Sequence, residues 1–161
     1  MDQLEQVALT MCMSKAALAY GTTSTLTTTG TTTFCIKGKA YTKAAITNLA
    51  TPTTDAATGL AFPPLVANQG TVIVVGYDSG GNLKACQGTI QGLDVGGLFI
   101  QAPLLPNVPD TMCPIGYFTV LAGSTAVGSW VFGTNNLSAV TGLTFTTPQD
   151  VVTLPFRPQI A

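Results

Sequence analysis

Histidine is absent from the 161-residue chain. With it go the commonest general base, the imidazole of Ser-His and Cys-His pairs, and the commonest metal ligand. Charge is scarce as well. Six Lys and Arg stand against seven Asp and Glu, together 8% of residues, where an ordinary soluble domain carries about 25%. A net charge of −1 and a single basic cluster, Lys37, Lys39 and Lys43, argue against a nucleic-acid partner, because neutralising phosphates takes clustered Lys and Arg. Even spacing puts those three lysines on one face of an extended segment, which reads as a solvated strand face. No apolar run reaches the roughly 18 residues of a membrane span, so no membrane partner is expected. The start, MDQLE, is acidic where a secretory signal has a basic n-region, so no export signal is expected. Cysteines 12, 35, 86 and 113 form no C-x-x-C pair. Without export, buried reduced thiols are the expectation, and disulfides or a zinc site are not. A two-carboxylate glycosidase would have to draw its pair from one Glu and six Asp, and Asp78 and Asp110 sit in turns, where Asp is favoured for backbone reasons. The pairs Gly80-Gly81 and Gly96-Gly97 lack the frame of a phosphate-binding loop. The chain reads as non-enzymatic, with no cofactor and no metal.

What is present is apolar: 46% of residues are hydrophobic. Either a Thr-rich surface keeps such a chain soluble, or neighbours in an assembly cover much of it. Residues 1–20 read as an α-helix. Asp2 and Glu5 sit in its first turn, Gly21 supplies the stop, and Gln3, Gln6, Thr10 and Ser14 form a thin polar stripe. Such a helix is buried either in its own core or against the same helix of a sister subunit. Residues 22–33, TTSTLTTTGTTT, hold nine Thr in twelve positions and one apolar side chain, Leu26. They read as an extended arm, ordered along another surface, or as a mobile linker. The expected organisation is a helix and arm over 1–33, serving oligomerisation or attachment, and a β-rich body over 34–161. Candidate oligomer or capsid contacts are Leu4, Val7, Met11 and Leu18 on the helix, Leu26 on the arm, and Phe156 and Arg157 on a C-terminal tail.

From residue 34 onward, short apolar segments alternate with turn chemistry. Residues 34–37 and 39–42 flank Gly38, a tight hairpin. Residues 50–70 hold Pro52, Pro63 and Pro64 and read as a loop crossing the body. Residues 71–77 form a near-continuous apolar strand, DSGGN turns the chain, and 83–90 returns. Further strands are expected at 98–101, 114–121, 129–132, 143–147 and 151–156. The fold class is mainly β, an antiparallel sandwich or barrel with an N-terminal α-helix. Tyr41, Tyr77, Tyr117 and Trp130 either line a carbohydrate groove or pack in the core.

Four stretches resemble the small proteins encoded beside the major capsid protein of tailed bacteriophages, the head decoration or cement proteins. They are residues 34–50, FCIKGKAYTKAAITNLA; 71–88, TVIVVGYDSGGNLKACQG; 105–121, LPNVPDTMCPIGYFTVL; and 132–145, FGTNNLSAVTGLTF. The N-terminal helix and Thr arm depart from that group's pattern. The resemblance implies a virion surface protein, assembled in the host cytoplasm, often trimeric at local threefold positions, with itself and the major capsid protein as partners. The alternative is a receptor-binding or head-fibre module that recognises host surface glycans through exposed aromatics.

Overall fold

The computed structural model describes residues 9–155 and residue 158. The chain is mainly β. In chain order the strands are β1 (Met11–Cys12), β2 (Ala19–Tyr20), β3 (Thr25–Thr27), β4 (Thr32–Ile36), β5 (Lys39–Lys43), β6 (Leu49–Ala50), β7 (Gln69–Asp78), β8 (Leu83–Gln87), β9 (Gln91–Gly92), β10 (Met112–Ala122), β11 (Leu143–Phe145) and β12 (Gln149–Asp150). They form three antiparallel sheets. Two are small, ordered β1-β4-β5 and β2-β3-β6. The largest runs β11-β10-β7-β8, with β12 also pairing β10 and β9 pairing β7.

The long pair of β7 and β10 organises everything else. Residues 72–75 read Val-Ile-Val-Val, β-branched side chains that suit a pleated backbone. A run without polar alternation needs cover on both faces. It has it. Ile73, Val75 and Tyr77 enter the main core with Phe34, Leu26, Phe118 and Phe132. Val72 and Val74 face the other way, with Cys86, Met112 and Tyr117, under Leu105, Val108, Val151 and Leu154. Each buried aliphatic side chain contributes about 1.5–3 kcal/mol.

β10 needs an irregularity to serve the same core along its length. Cys113 and Ile115 face the main core, and so do Phe118, Val120 and Ala122. The first two are odd-numbered and the last three even-numbered, so the period of two breaks between them. The register shifts between Pro114, opposite Gly76, and Gly116, opposite Val75. This bulge turns the side chains over, and it accommodates a proline that has no N–H for the ladder. Glycine is required at the crossing: a Cβ on Gly76 would run into the carbonyl oxygen of Cys113.

Two turns expected from sequence close as hairpins. β4 and β5 pair from Thr32 opposite Lys43 to Ile36 opposite Lys39, joined by Lys37 and Gly38, whose φ angles of 50° and 76° match the primed two-residue turn. β7 and β8 pair across DSGGN.

The expected N-terminal helix is corrected. No helix occurs among the described residues, and 9–20 holds the short strands β1 and β2 joined by irregular chain; residues 1–8 lie outside them. Met11 and Cys12 pair with Cys35 and Phe34 of β4. The Cys12 amide donates to the Val152 carbonyl at 2.8 Å, and the Leu18 amide to the Asp150 carboxylate at 2.9 Å. Ala17 has φ 49°, outside any right-handed helix. Alanine, leucine and methionine are good helix formers, but that preference is worth less than about 1 kcal/mol per residue, and long-range partners override it. Two other expected strands shrink to isolated bridges, Leu65 with Trp130 and Leu93 with Phe99. At the C-terminal end the ladder is made by β12, while residues 151–155 are not a strand.

The threonine segment is stitched to its own chain. The Thr28 amide donates to the Ile46 carbonyl at 2.9 Å, and the Thr29 amide to the Ala16 carbonyl at 3.1 Å. The Ser24 and Thr51 hydroxyls meet at 2.8 Å. Thr28 and Thr32 are buried.

Candidate interaction surface

Four of the five described carboxylates, Asp55, Asp78, Asp94 and Asp150, accept backbone amides. Asp55 is buried. Its oxygens accept the amides of Ala57 at 2.7 Å, Thr58 at 3.2 Å and Gln87 at 2.8 Å. With the Ala56 amide donating to the Ala85 carbonyl at 2.8 Å, it closes the outer edge of β8. Asp78 accepts the amides of Gly80 and Asn82, both at 2.9 Å, and pairs with Lys84 at 3.8 Å. Burial alone would raise its pKa. The donors from Asn82 and Gly80 and the charge of Lys84 outweigh that and hold it below the usual carboxylate range. It lines a hollow of about 520 Å³ with Asn82, Lys84, Pro109 and Thr111. Asp94 accepts the Leu98 amide at 2.9 Å, and Asp110 pairs with Lys37 at 2.7 Å.

The cysteines are free. Burial pushes the thiols of Cys86 and Cys113 up to about 12, so neither is a thiolate nucleophile at neutral pH. Among the described residues, no group of three or more Cys, Asp or Glu is placed to hold a metal ion, and no helix is long and apolar enough to cross a membrane.

The sequence-derived contact residues are not brought together. Leu18 and Leu26 lie in the chain's own core, Leu26 with no exposure at all. Met11 is half-buried in β1. Leu4, Val7, Phe156 and Arg157 lie outside the described residues. Of the candidate glycan-stacking aromatics, Tyr77, Tyr117 and Trp130 are buried. The Trp130 indole N–H donates to the Asn136 carbonyl at 2.9 Å. Tyr41 is half-buried, stacked on Phe34 at 5.7 Å, with the Lys39 ammonium 5.6 Å from its ring.

Exposed apolar side chains include Leu9, Met13, Leu49, Leu60, Leu104 and Val152, and a further group of five. Val95 is fully exposed, Val127 88%, Ile100 67%, Leu98 64% and Val66 44%. They share one end of the central sheet, where β7 begins at Gln69 opposite Ala122 of β10. The loop carrying Val95 is a tight turn: the Gly97 amide donates to the Asp94 carbonyl at 2.9 Å, and Asp94 and Leu98 bond across its base. It borders a hollow of about 370 Å³ with Gly123, Ser124 and Gly142. Val127 stands on the adjoining loop, over a hollow of about 430 Å³ lined by Leu65, Trp130 and Asn135. The sequence places Leu98 and Ile100 in an expected strand, 98–101, and gives Val95 no role. The signal was there: in VGGL the apolar residues sit on a turn too tight to fold them back into the core, so they point outward.

Charge occupies the opposite end, where Asp78 pairs with Met112. Lys37 is bridged to Asp110 and Lys84 to Asp78, and the Lys43 side chain lies against Gly81. The lysines of these bridges therefore gather at one end and five exposed aliphatic side chains at the other, while Leu9, also exposed, stands at the lysine end, its carbonyl accepting the Gly38 amide at 3.1 Å. In comparisons with known proteins, the chain matches no family model, no curated protein and no solved structure.

Proposed function

We propose that the chain is a virion structural protein of a tailed bacteriophage: a capsid decoration or cement protein that binds the outside of the head. In this reading the partners are further copies of itself, as a trimer at local threefold positions, and the major capsid protein. It is assembled in the host cytoplasm and ends on the capsid surface. The three sheets sharing one core are read as a sandwich, a stiff block suited to bridging subunits.

One observation carries the reading: five exposed aliphatic side chains, Val66, Val95, Leu98, Ile100 and Val127, share one end of the central sheet. A patch of that kind marks an interaction site. Contact area does the work at about 25 cal/mol per Å² of apolar surface, less the cost of association. Repetition around a shell multiplies a weak single contact. The glycan-binding alternative retains only Tyr41 among its four aromatics.

The experiment is a mass-spectrometric inventory of purified particles, followed by thermal release of DNA from particles with and without the protein. Presence in stoichiometric amount and a higher release temperature are expected. Absence from the particle, or a release temperature that does not change, overturns the cement reading. Binding in a glycan screen that Tyr41→Ala abolishes transfers it to the alternative.

A further inference from the structure

We infer that the aliphatic end of the body, built from Val66, Val95, Leu98, Ile100 and Val127, is the face through which copies of this chain meet one another. This rests on the self-association half of the reading above and names its surface, which the expected contacts at Leu18 and Leu26 do not supply, being buried in the subunit's own core.

The choice of a second copy as occupant follows from charge. Around a closed symmetry axis, residues near the axis meet their own counterparts, so a face must be compatible with itself. The end carrying Lys37, Lys39, Lys43 and Lys84 against Asp78 and Asp110 would set like charges opposite one another at an axis, and that costs free energy. Among the described residues, the opposite end carries one acidic side chain, Asp94. Its carboxylate is turned back onto the Leu98 amide of its own loop, at 2.9 Å. Valine against valine and isoleucine against leucine carry no such penalty, and removing them from water is favourable.

A lipid surface is the rival occupant of an apolar loop tip. Peripheral membrane faces set Lys and Arg beside their apolar residues to meet anionic headgroups. Here the lysines of the described body other than Lys15 are gathered around the far end, and Lys15 pairs with Asp150 on β12 at 3.9 Å. The charge pattern favours another copy of the same neutral face.

The loops also meet a geometric requirement. A symmetric contact needs the interacting side chains in fixed positions before association, otherwise ordering them offsets the gain. Asp94 and Leu98 close the Val95 loop from both sides, the Asp94 amide donating to the Leu98 carbonyl at 2.8 Å. In the Val127 loop, the Ala126 amide donates to the Gly123 carbonyl at 3.1 Å, and the Gly123 amide to the Gly142 carbonyl at 2.9 Å.

The test is sedimentation equilibrium on the full chain, with Val95→Asp and Val127→Asp, singly and together, and Lys39→Glu as the far-end control. Both valines are exposed, so the variants are expected to keep the wild-type circular dichroism and thermal midpoint. The wild type is expected to sediment as a closed oligomer, the double variant as a monomer at the same concentration, and Lys39→Glu as the wild type. A monomeric wild type, a double variant that keeps the oligomeric mass, or dissociation by Lys39→Glu overturns the inference. So does a monomer that co-sediments with phosphatidylcholine vesicles and is released by Val95→Asp, which would assign the end to lipid. The two readings fail separately. An oligomer broken by Val95→Asp in a chain absent from particles keeps this inference and ends the cement reading. A monomer that still raises the DNA-release temperature does the reverse.

Discussion

The β7–β10 pair and the threonine segment 22–33 are both extended chain in the same body, yet opposite chemistry orders them. Along β7, eight consecutive residues from Gly70 to Tyr77 are buried, and their side chains divide between two apolar clusters. In the threonine segment one side chain, Leu26, enters the main core, and the rest of the ordering comes from backbone ladders to residues 19–20, 42–43 and 49–50 and from bonds to residues 13–16, 46–51 and 137. A Val run is legible as buried because valine has one use. A Thr run is not, since the hydroxyl serves water or a buried backbone group equally well. The difference predicts where the body is deaf to substitution and where it is not.

The largest expected effect breaks the apolar side of the comparison. Phe118 is fully buried on β10, edge-on to Tyr20 with centroids 5.1 Å apart and tilted against Phe132 at 6.2 Å. Phe118→Ala is expected to destabilise by about 3–5 kcal/mol, read as a lower urea midpoint at unchanged slope. Leu26→Ala asks whether the threonine segment belongs to the same cooperative unit. A loss of about 2–4 kcal/mol is expected, on the same single transition. A loss below about 1 kcal/mol would mean that the segment orders without its apolar anchor.

A third effect comes from buried acids that ionise late; burial also raises the pKa of Cys12 on β1 and of Tyr20 on β2, and two such thiols lie in the central sheet. The thiols of Cys86 on β8 and Cys113 on β10 hold their protons in the fold until about 12, while a thiol in the unfolded chain ionises near 9.0. Burial is the largest cause for both. As pH rises through that window the unfolded state releases protons first, so stability is fully present below about pH 9 and falls above it. Each group removes about 1.4 kcal/mol per pH unit. Urea unfolding from about pH 8 to about pH 10.5 should therefore show a slope that Cys86→Ala reduces and Leu26→Ala leaves unchanged. An identical slope in Cys86→Ala sinks the assignment.

Legibility follows the distance over which each feature is decided. Lys37 and Gly38, and the Asp78 turn whose carboxylate takes the amides of Gly80 and Asn82, are settled within five residues, and both hairpins are read correctly. The apolar β7 is equally local. Residues 9–20 misled because Ala16, Ala17 and Leu18 suit a helix locally, while the groups that hold them out of one come from far along the chain, Asp150 being 132 residues beyond Leu18. The strands expected around Phe99 and Trp130 fall short for a similar reason, since each finds one bridging partner where a ladder needs several. Among the candidate contact residues, residue type brings forward Leu18 and Leu26, which are buried, and says nothing of Val95 and Val127, which are exposed. Nothing local distinguishes an aliphatic side chain that reaches the core from one that stands on a turn, except the tightness of that turn.

The smallest effect sharpens the comparison most, because it sets neighbouring residues of one type against each other. Thr28 is buried, and its hydroxyl oxygen accepts the Ile46 amide at 3.3 Å; Thr29 is exposed. Valine has the shape of threonine without the hydroxyl. Thr28→Val leaves the Ile46 N–H buried without that acceptor, at an expected cost of about 1–2 kcal/mol. Thr29→Val changes only what water sees, within about 0.5 kcal/mol. Equal urea midpoints for the two variants would mean that the run is held by its backbone bonds and Leu26 alone. A difference of the expected size would show a threonine-rich segment behaving residue by residue like a folded strand, its hydroxyls divided between solvent and the chain's own backbone.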